Sequence, residues 1–179
     1  MSLGGELLNV VSVYSPAWPV DRARLVGLDT GRTKLKQNPD VWVADLLLAS
    51  LRSTDGQDTP WIVGGDFNLS ETFDAWRGGP RGNREFLERA AAIGLAKCLR
   101  TAKRALVPTF RNTRGGRIVH QIDHLFVSTD LAQRLVSCDA GSAERVFGGG
   151  LSDHLPIIAE LHPRGAGSPL CDTSPLCDT

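Results

Sequence analysis

Apolar residues fall into short blocks along the chain, some spaced like strands and others like one face of a helix. Residues 7–14 (Leu-Leu-Asn-Val-Val-Ser-Val-Tyr) are apolar and β-branched and stop at Ser15-Pro16, which predicts a buried strand opening into a loop. Residues 17–39 are polar with proline and glycine, and predict a long surface loop with a short helix at most. Helical spacing follows over 41–52, where Val41, Ala44, Leu47, Leu48 and Leu51 share one face and Asp40 stands at the N-cap position. After a turn-rich link over 53–60, residues 61–64 predict a short strand ending at Gly65-Asp66-Phe67-Asn68. A second helix is predicted over 83–93, with Gly94 just past its end. Strands are predicted over 109–111 and 119–127 around a Gly115-Gly116 turn, and a short helix over 129–134. Residues 135–146 are weakly strand-like and broken at Gly141, and a last strand is predicted over 155–161.

These elements mix strands and helices in a chain of 179 residues, which has room for one α/β (α+β) domain, assigned to residues 1–163. Beyond it, Ser168-Pro169-Leu170-Cys171-Asp172-Thr173 is copied at once as residues 174–179. A duplicated hexapeptide without apolar periodicity builds no core, so residues 164–179 are expected to form a disordered tail.

Composition narrows the possibilities. The most apolar stretch, residues 41–51, is interrupted by Asp45, so no membrane span is expected. The first six residues lack the basic start of a signal peptide, and a cytoplasmic location is the expectation. Cys98 and Cys138 are isolated and Cys171 and Cys177 sit in the tail, which is no zinc pattern; the first two suit small apolar fillers. Net charge is zero, which excludes a uniformly polybasic molecule. Residues 77–117 nevertheless hold eleven basic residues against Glu85 and Glu88. Such a segment fits a phosphate-bearing partner, and equally fits a solvated helix face with its loop.

Candidate chemistry gathers where predicted strands end: Tyr14, then Asp66 and Asn68, then Asp123, then Asp153 and His154. In Gly64-Gly65-Asp66-Phe67-Asn68 the glycines let the backbone turn tightly, so a carboxylate that can handle water and an amide that can donate to a phosphoryl oxygen face one point. The alternative is an Asx-turn, in which both bond their own backbone. Asp123 lies in an apolar strand and needs a partner such as a histidine; His124 points to the other face by alternation and reads as structural. Ser152-Asp153-His154 offers a metal-binding oxygen beside an imidazole, or simply a turn at a strand start.

Taken in order and spacing, G-D-F-N, I-D-H-L-F-V-S and S-D-H-L-P resemble the endonuclease/exonuclease/phosphatase superfamily, which includes exonuclease III-like AP endonucleases, DNase I, LINE-type retroelement endonucleases, sphingomyelinases and inositol polyphosphate 5-phosphatases. The resemblance runs from about Leu7 to Leu161 and is closest in style to the bacterial exonuclease III and AP endonuclease-like members. It implies a DNase I-like two-sheet sandwich flanked by helices, and Mg²⁺-dependent (or Mn²⁺-dependent) hydrolysis of a phosphoester. A nucleic-acid phosphodiester is the first expectation. A phosphoinositide or lipid-headgroup phosphoester is the alternative. By the same resemblance Asp66 orients or deprotonates water, Asn68 is its transition-state partner, His154 contacts the phosphate and Asp123 holds that histidine. Tyr14 matches a phosphate-reaching tyrosine, and equally fits a core aromatic at a strand end; Asp66, Asn68, Asp153 and His154 are the implied metal-associated residues. The family's early Asn-containing strand and Gln-Glu motif have no counterpart ahead of Leu7, and Glu6 is too near the first strand to serve. The expectation is therefore a C-terminal half that holds metal weakly. It would leave one sheet face bare, for self-association or a partner.

Overall fold

The computed structural model describes residues 2–3, 5–53, 59–76, 80–112 and 114–164; most of the link over 53–60 and nearly all of the expected tail lie outside them. In chain order the elements are β1 (Ser2–Leu3), β2 (Glu6–Leu7), β3 (Asn9–Tyr14), α1 (Val43–Ser53), β4 (Trp61–Asp66), α2 (Asn83–Ala92), β5 (Leu95–Lys97) and α3 (Cys98–Lys103). They continue with β6 (Phe110–Arg111), β7 (Ile118–His120), β8 (Asp123–Ser128), α4 (Thr129–Ala132), β9 (Leu135–Ala140) and β10 (Ile157–Leu161). Short 3₁₀ segments cover Arg22–Leu25 and Glu71–Ala75, and a π-helical turn covers Glu144–Gly148.

A four-stranded sheet in the order β3-β4-β8-β5 forms the centre, with β3 parallel to β4 and the other pairs antiparallel. β9 and β10 make a separate antiparallel pair, and β6 and β7 a hairpin. One face of the sheet is covered by α1 and α2, whose Ala44, Leu48, Phe86, Leu87 and Ala90 pack with Val13, Val63, Phe67 and Phe126. Phe67 and Phe126 are T-shaped at 5.3 Å, and each large side chain buried here contributes about 1.5–3 kcal/mol. The other face meets a second cluster of Leu8, Cys98, Leu99, Val127, Leu131 and Cys138, which joins α3, α4 and the β9–β10 pair. Cys98 and Cys138 are thus the small fillers expected of them; burial pushes the Cys98 thiol up to about 12.

Several predicted boundaries move for identifiable reasons. α1 starts at Val43 and not after Asp40, because the Asp40 carboxylate is drawn to Arg22 at 2.9 Å. Asp45 instead reaches back to accept from the Trp42 N–H at 2.9 Å, the acid half of a capping box. The strand predicted over 119–127 is broken at Gln121-Ile122. There the buried Thr109 hydroxyl accepts from the N–H groups of Ile122 and Asp123, so β7 can pair with β6 while β8 pairs with β4. β9 ends before Gly141, where a side-chain carbon would stand 2.7 Å from Pro156. β4 runs two residues further than predicted because Gly65 has φ 144° and lies against β3; a Cβ there would fall 2.0 Å from the Val13 carbonyl oxygen.

Candidate active site at the ends of three strands

Register brings the chemistry together. Tyr14, the last residue of β3, is the Cα partner of Asp66, the last of β4, and Asp66 is the Cα partner of Asp123, the first of β8. Partners in register share a face, so the three side chains leave the same side of the sheet at one end. His154 arrives from the segment before β10, whose Leu155 N–H donates to the Thr109 carbonyl at 2.7 Å. It pairs as an isolated bridge with Phe110, and the two rings lie 5.0 Å apart.

Asp66, Asp123 and His154 can each present one ligand atom within 4.8 Å of the other two. His154 Nδ1 is 3.0 Å from both carboxylate oxygens of Asp123, so Nδ1–H donates to Asp123, and Nε2 lies on the Asp153 side of the ring. Asp66 accepts from the Asn68 backbone N–H at 2.8 Å and, through its other oxygen, from Asn68 Nδ2 at 2.8 Å. The second Nδ2 hydrogen of Asn68 goes to the Ser15 carbonyl at 2.9 Å, and Asn68 itself sits at φ 48°. The Asx-turn is therefore present, and it aims Asp66 at the site. Burial holds the Asp66 carboxyl above the usual carboxylate range, and the Asp123 carboxylate pushes the same way, against the Asn68 N–H and His154. Two carboxylates on adjacent strand ends, one of them partly desolvated, make a place where a hard cation would relieve repulsion. The donor set leaves several of a cation's usual six or more oxygen positions to water or substrate.

Tyr14 is largely exposed at the rim. Asp153 is less central: its carboxylate lies 4.0 Å from His154 Nε2 and outside the three-residue cluster. His124 is in the core, stacked on Phe126, with Nε2 3.0 Å from the Leu69 carbonyl; burial lowers its pKa to about 4, so it stays neutral. Glu6 is held by Arg134 and Arg164, far from a ligand's role. An open cleft of about 660 Å³ adjoins the site, lined by Gly64, Asp123, Leu125, His154 and Ile157 among others.

Sequence reasoning left Ser15, Thr109 and Phe110 without roles. Ser15 anchors Asn68, Thr109 fixes the start of β8, and Phe110 backs His154. A strand over 109–111 was legible, but its register against His154 is a long-range fact. The basic segment is not one face: Arg89 clamps the carbonyls of Thr33 and Lys34, Lys97 pairs with Glu71, Lys103 with Asp139, and Arg111 donates to the Phe147 carbonyl.

A model of the endonuclease/exonuclease/phosphatase family matches residues 8–154. No curated protein matches the chain. Among solved structures, an AP endonuclease from Archaeoglobus fulgidus is 20% identical with a TM-score of 0.63, over 89% of this chain and 62% of that one. A 3'-5' exonuclease from Neisseria meningitidis is 21% identical with a TM-score of 0.55, over 66% and 51%. A 3' phosphatase from Neisseria, bound to product DNA hairpin, is 20% identical with a TM-score of 0.56, also over 66% and 51%. The chain thus spans between half and two thirds of the length of these proteins, and the fold is DNase I-like.

Proposed function

Because the chain belongs to the endonuclease/exonuclease/phosphatase family, we propose that its strand-end site hydrolyses a phosphoester by in-line attack of water, with a nucleic-acid phosphodiester as the substrate class. The observation that carries this reading is the approach of Asp66, Asp123 and His154 to within 4.8 Å of one another. Asp66 orients the water and takes its proton, a role supported by its place beside Asp123 and His154 at the strand ends. Asn68 positions Asp66, and Asp123 holds the His154 ring through Nδ1 so that its Nε2 edge is presented to the phosphoryl group. Asp66 and Asp123 are the carboxylates that would hold Mg²⁺ or Mn²⁺, with Asn68 Oδ1 and Asp153 as neighbouring oxygens. A bound divalent ion would supply charge stabilisation at the phosphoryl oxygens. Tyr14 completes the rim on the phosphate side.

Nucleic acid is favoured over a lipid headgroup by the rim tyrosine and by the arginines of the β6–β7 turn, Arg114 and Arg117. The test is turnover of bis(p-nitrophenyl) phosphate with Mg²⁺. Activity should be metal-dependent and lost in both Asp66→Ala and His154→Ala; turnover that survives both substitutions rejects the site. A second reading, favoured by exposed Leu7, Val10 and Leu151, is that the chain works only against a partner surface. It is supported if the folded chain is inactive and self-associates on sizing.

A further inference from the structure

We infer that Trp76 is a stacking platform for a nucleobase of the strand whose phosphate occupies the site, a few nucleotides from that phosphate. This rests on the nucleic-acid reading of the site above. Trp76 closes the 3₁₀ segment Glu71–Ala75, which leaves the site only three residues after Asn68. It is a large aromatic side chain left 58% exposed. Its ring is nonetheless backed on one side, by Phe73 at 6.1 Å and by His120 at 6.2 Å, where the planes differ by 31°. His120 is fixed in turn: its Nδ1 lies 2.8 Å from the Thr72 hydroxyl, and its ring 4.7 Å from Phe73. The platform is thus clamped to β7 before any ligand arrives, which limits the ordering cost of stacking.

Its position follows from the strand register. Phe110 is the Cα partner of His120 on one side and the bridge partner of His154 on the other. Two strand spacings separate His120 from His154, about 10 Å, a span that a strand of a few nucleotides covers. The same hairpin turns at Arg114 and Arg117, both exposed, which puts positive charge at its tip for a polyanionic strand to meet. A phosphate site, a ring platform beside it and cations beyond are the parts of a single-strand groove.

The test is anisotropy of a labelled single-stranded oligonucleotide bound to the full chain in EDTA, where hydrolysis does not intervene. Stacking of one base is worth about 1–3 kcal/mol by alanine substitution, so Trp76→Ala should weaken binding by about 5- to 150-fold, and Trp76→Phe should recover most of it. Oligonucleotides carrying one abasic residue at successive positions should erase the Trp76→Ala penalty at a single position only. The platform is overturned if Trp76→Ala binds within about twofold of the wild type, if the penalty is the same at every abasic position, or if the wild type does not bind the strand. It is also overturned if the variant loses affinity for phosphoinositide vesicles instead. Failure of the hydrolytic reading appears separately, as wild-type protein that binds the strand through Trp76 but turns over no phosphodiester.

Discussion

Asp45 offers a quantitative check on the packing of α1. Its side chain is 4% exposed, it accepts from the Trp42 N–H, and burial pushes its carboxyl up from 3.8 to about 6, with Arg89 pulling weakly the other way. A carboxyl whose native proton affinity exceeds its unfolded one stabilises the fold below about pH 4, and that contribution is lost as the pH rises through about 6. From 3.8 to about 6, at about 1.4 kcal/mol per pH unit, the native state gives up roughly 3 kcal/mol by neutrality. Asp45→Asn keeps an oxygen for the Trp42 N–H but has no proton to lose. The variant should therefore match the wild type near pH 4. At pH 7.5 it should be more stable by roughly 2–3 kcal/mol, a Tm rise of about 5–10 °C. Urea unfolding followed by tryptophan fluorescence at the two pH values measures this directly. A difference between the proteins that does not change with pH, or an asparagine variant that is the less stable at pH 7.5, would show that Asp45 ionises without cost and that the burial argument is wrong.

Other consequences are equally specific. Gly65→Ala places a Cβ 2.0 Å from the Val13 carbonyl at φ 144°, and should cost more than about 3 kcal/mol or prevent β3–β4 pairing; Gly148→Ala, with nothing within 4 Å, should stay within about 0.5 kcal/mol by the same urea assay. Leu131→Ala removes a fully buried side chain from the cluster behind the site and should lower stability by about 2–5 kcal/mol, read as the unfolding midpoint. Asp123→Asn leaves His154 with a neutral partner and should lower kcat on bis(p-nitrophenyl) phosphate about 10- to 100-fold with little change in KM; an equal kcat would remove Asp123 from its orienting role.

Much of the candidate site was legible because its residues lie where strands start or stop, and an apolar run followed by Asp-Phe-Asn, or preceded by Ser-Asp-His, is a local signal. The register that makes Tyr14, Asp66 and Asp123 neighbours is consistent with those strand ends but is decided by pairing across the sheet. In the Asp66–Asn68 pair the turn alternative is present, and the same amide is also pinned to the Ser15 carbonyl just past β3, a long-range contact that no local motif records. β5 and α3 escaped prediction since three strand residues run straight into a six-residue helix, too short for either period to show. The start of α1 was misplaced because Arg22, distant in sequence, competes for Asp40. The basic segment looked like one surface only because charge along a chain does not record which cations are spent on Glu71, Asp139 or backbone carbonyls.

A divalent ion and His154 must share one place if the strand-end cluster is the reaction site. Side-chain ¹⁵N spectra of the four histidines during substoichiometric Mn²⁺ addition read this without any substrate. The His154 resonances should broaden first, and the selective effect should vanish in Asp66→Ala. Broadening spread evenly over the histidines, or an unaffected His154 in a protein that still hydrolyses a phosphodiester with Mn²⁺, would place the chemistry elsewhere.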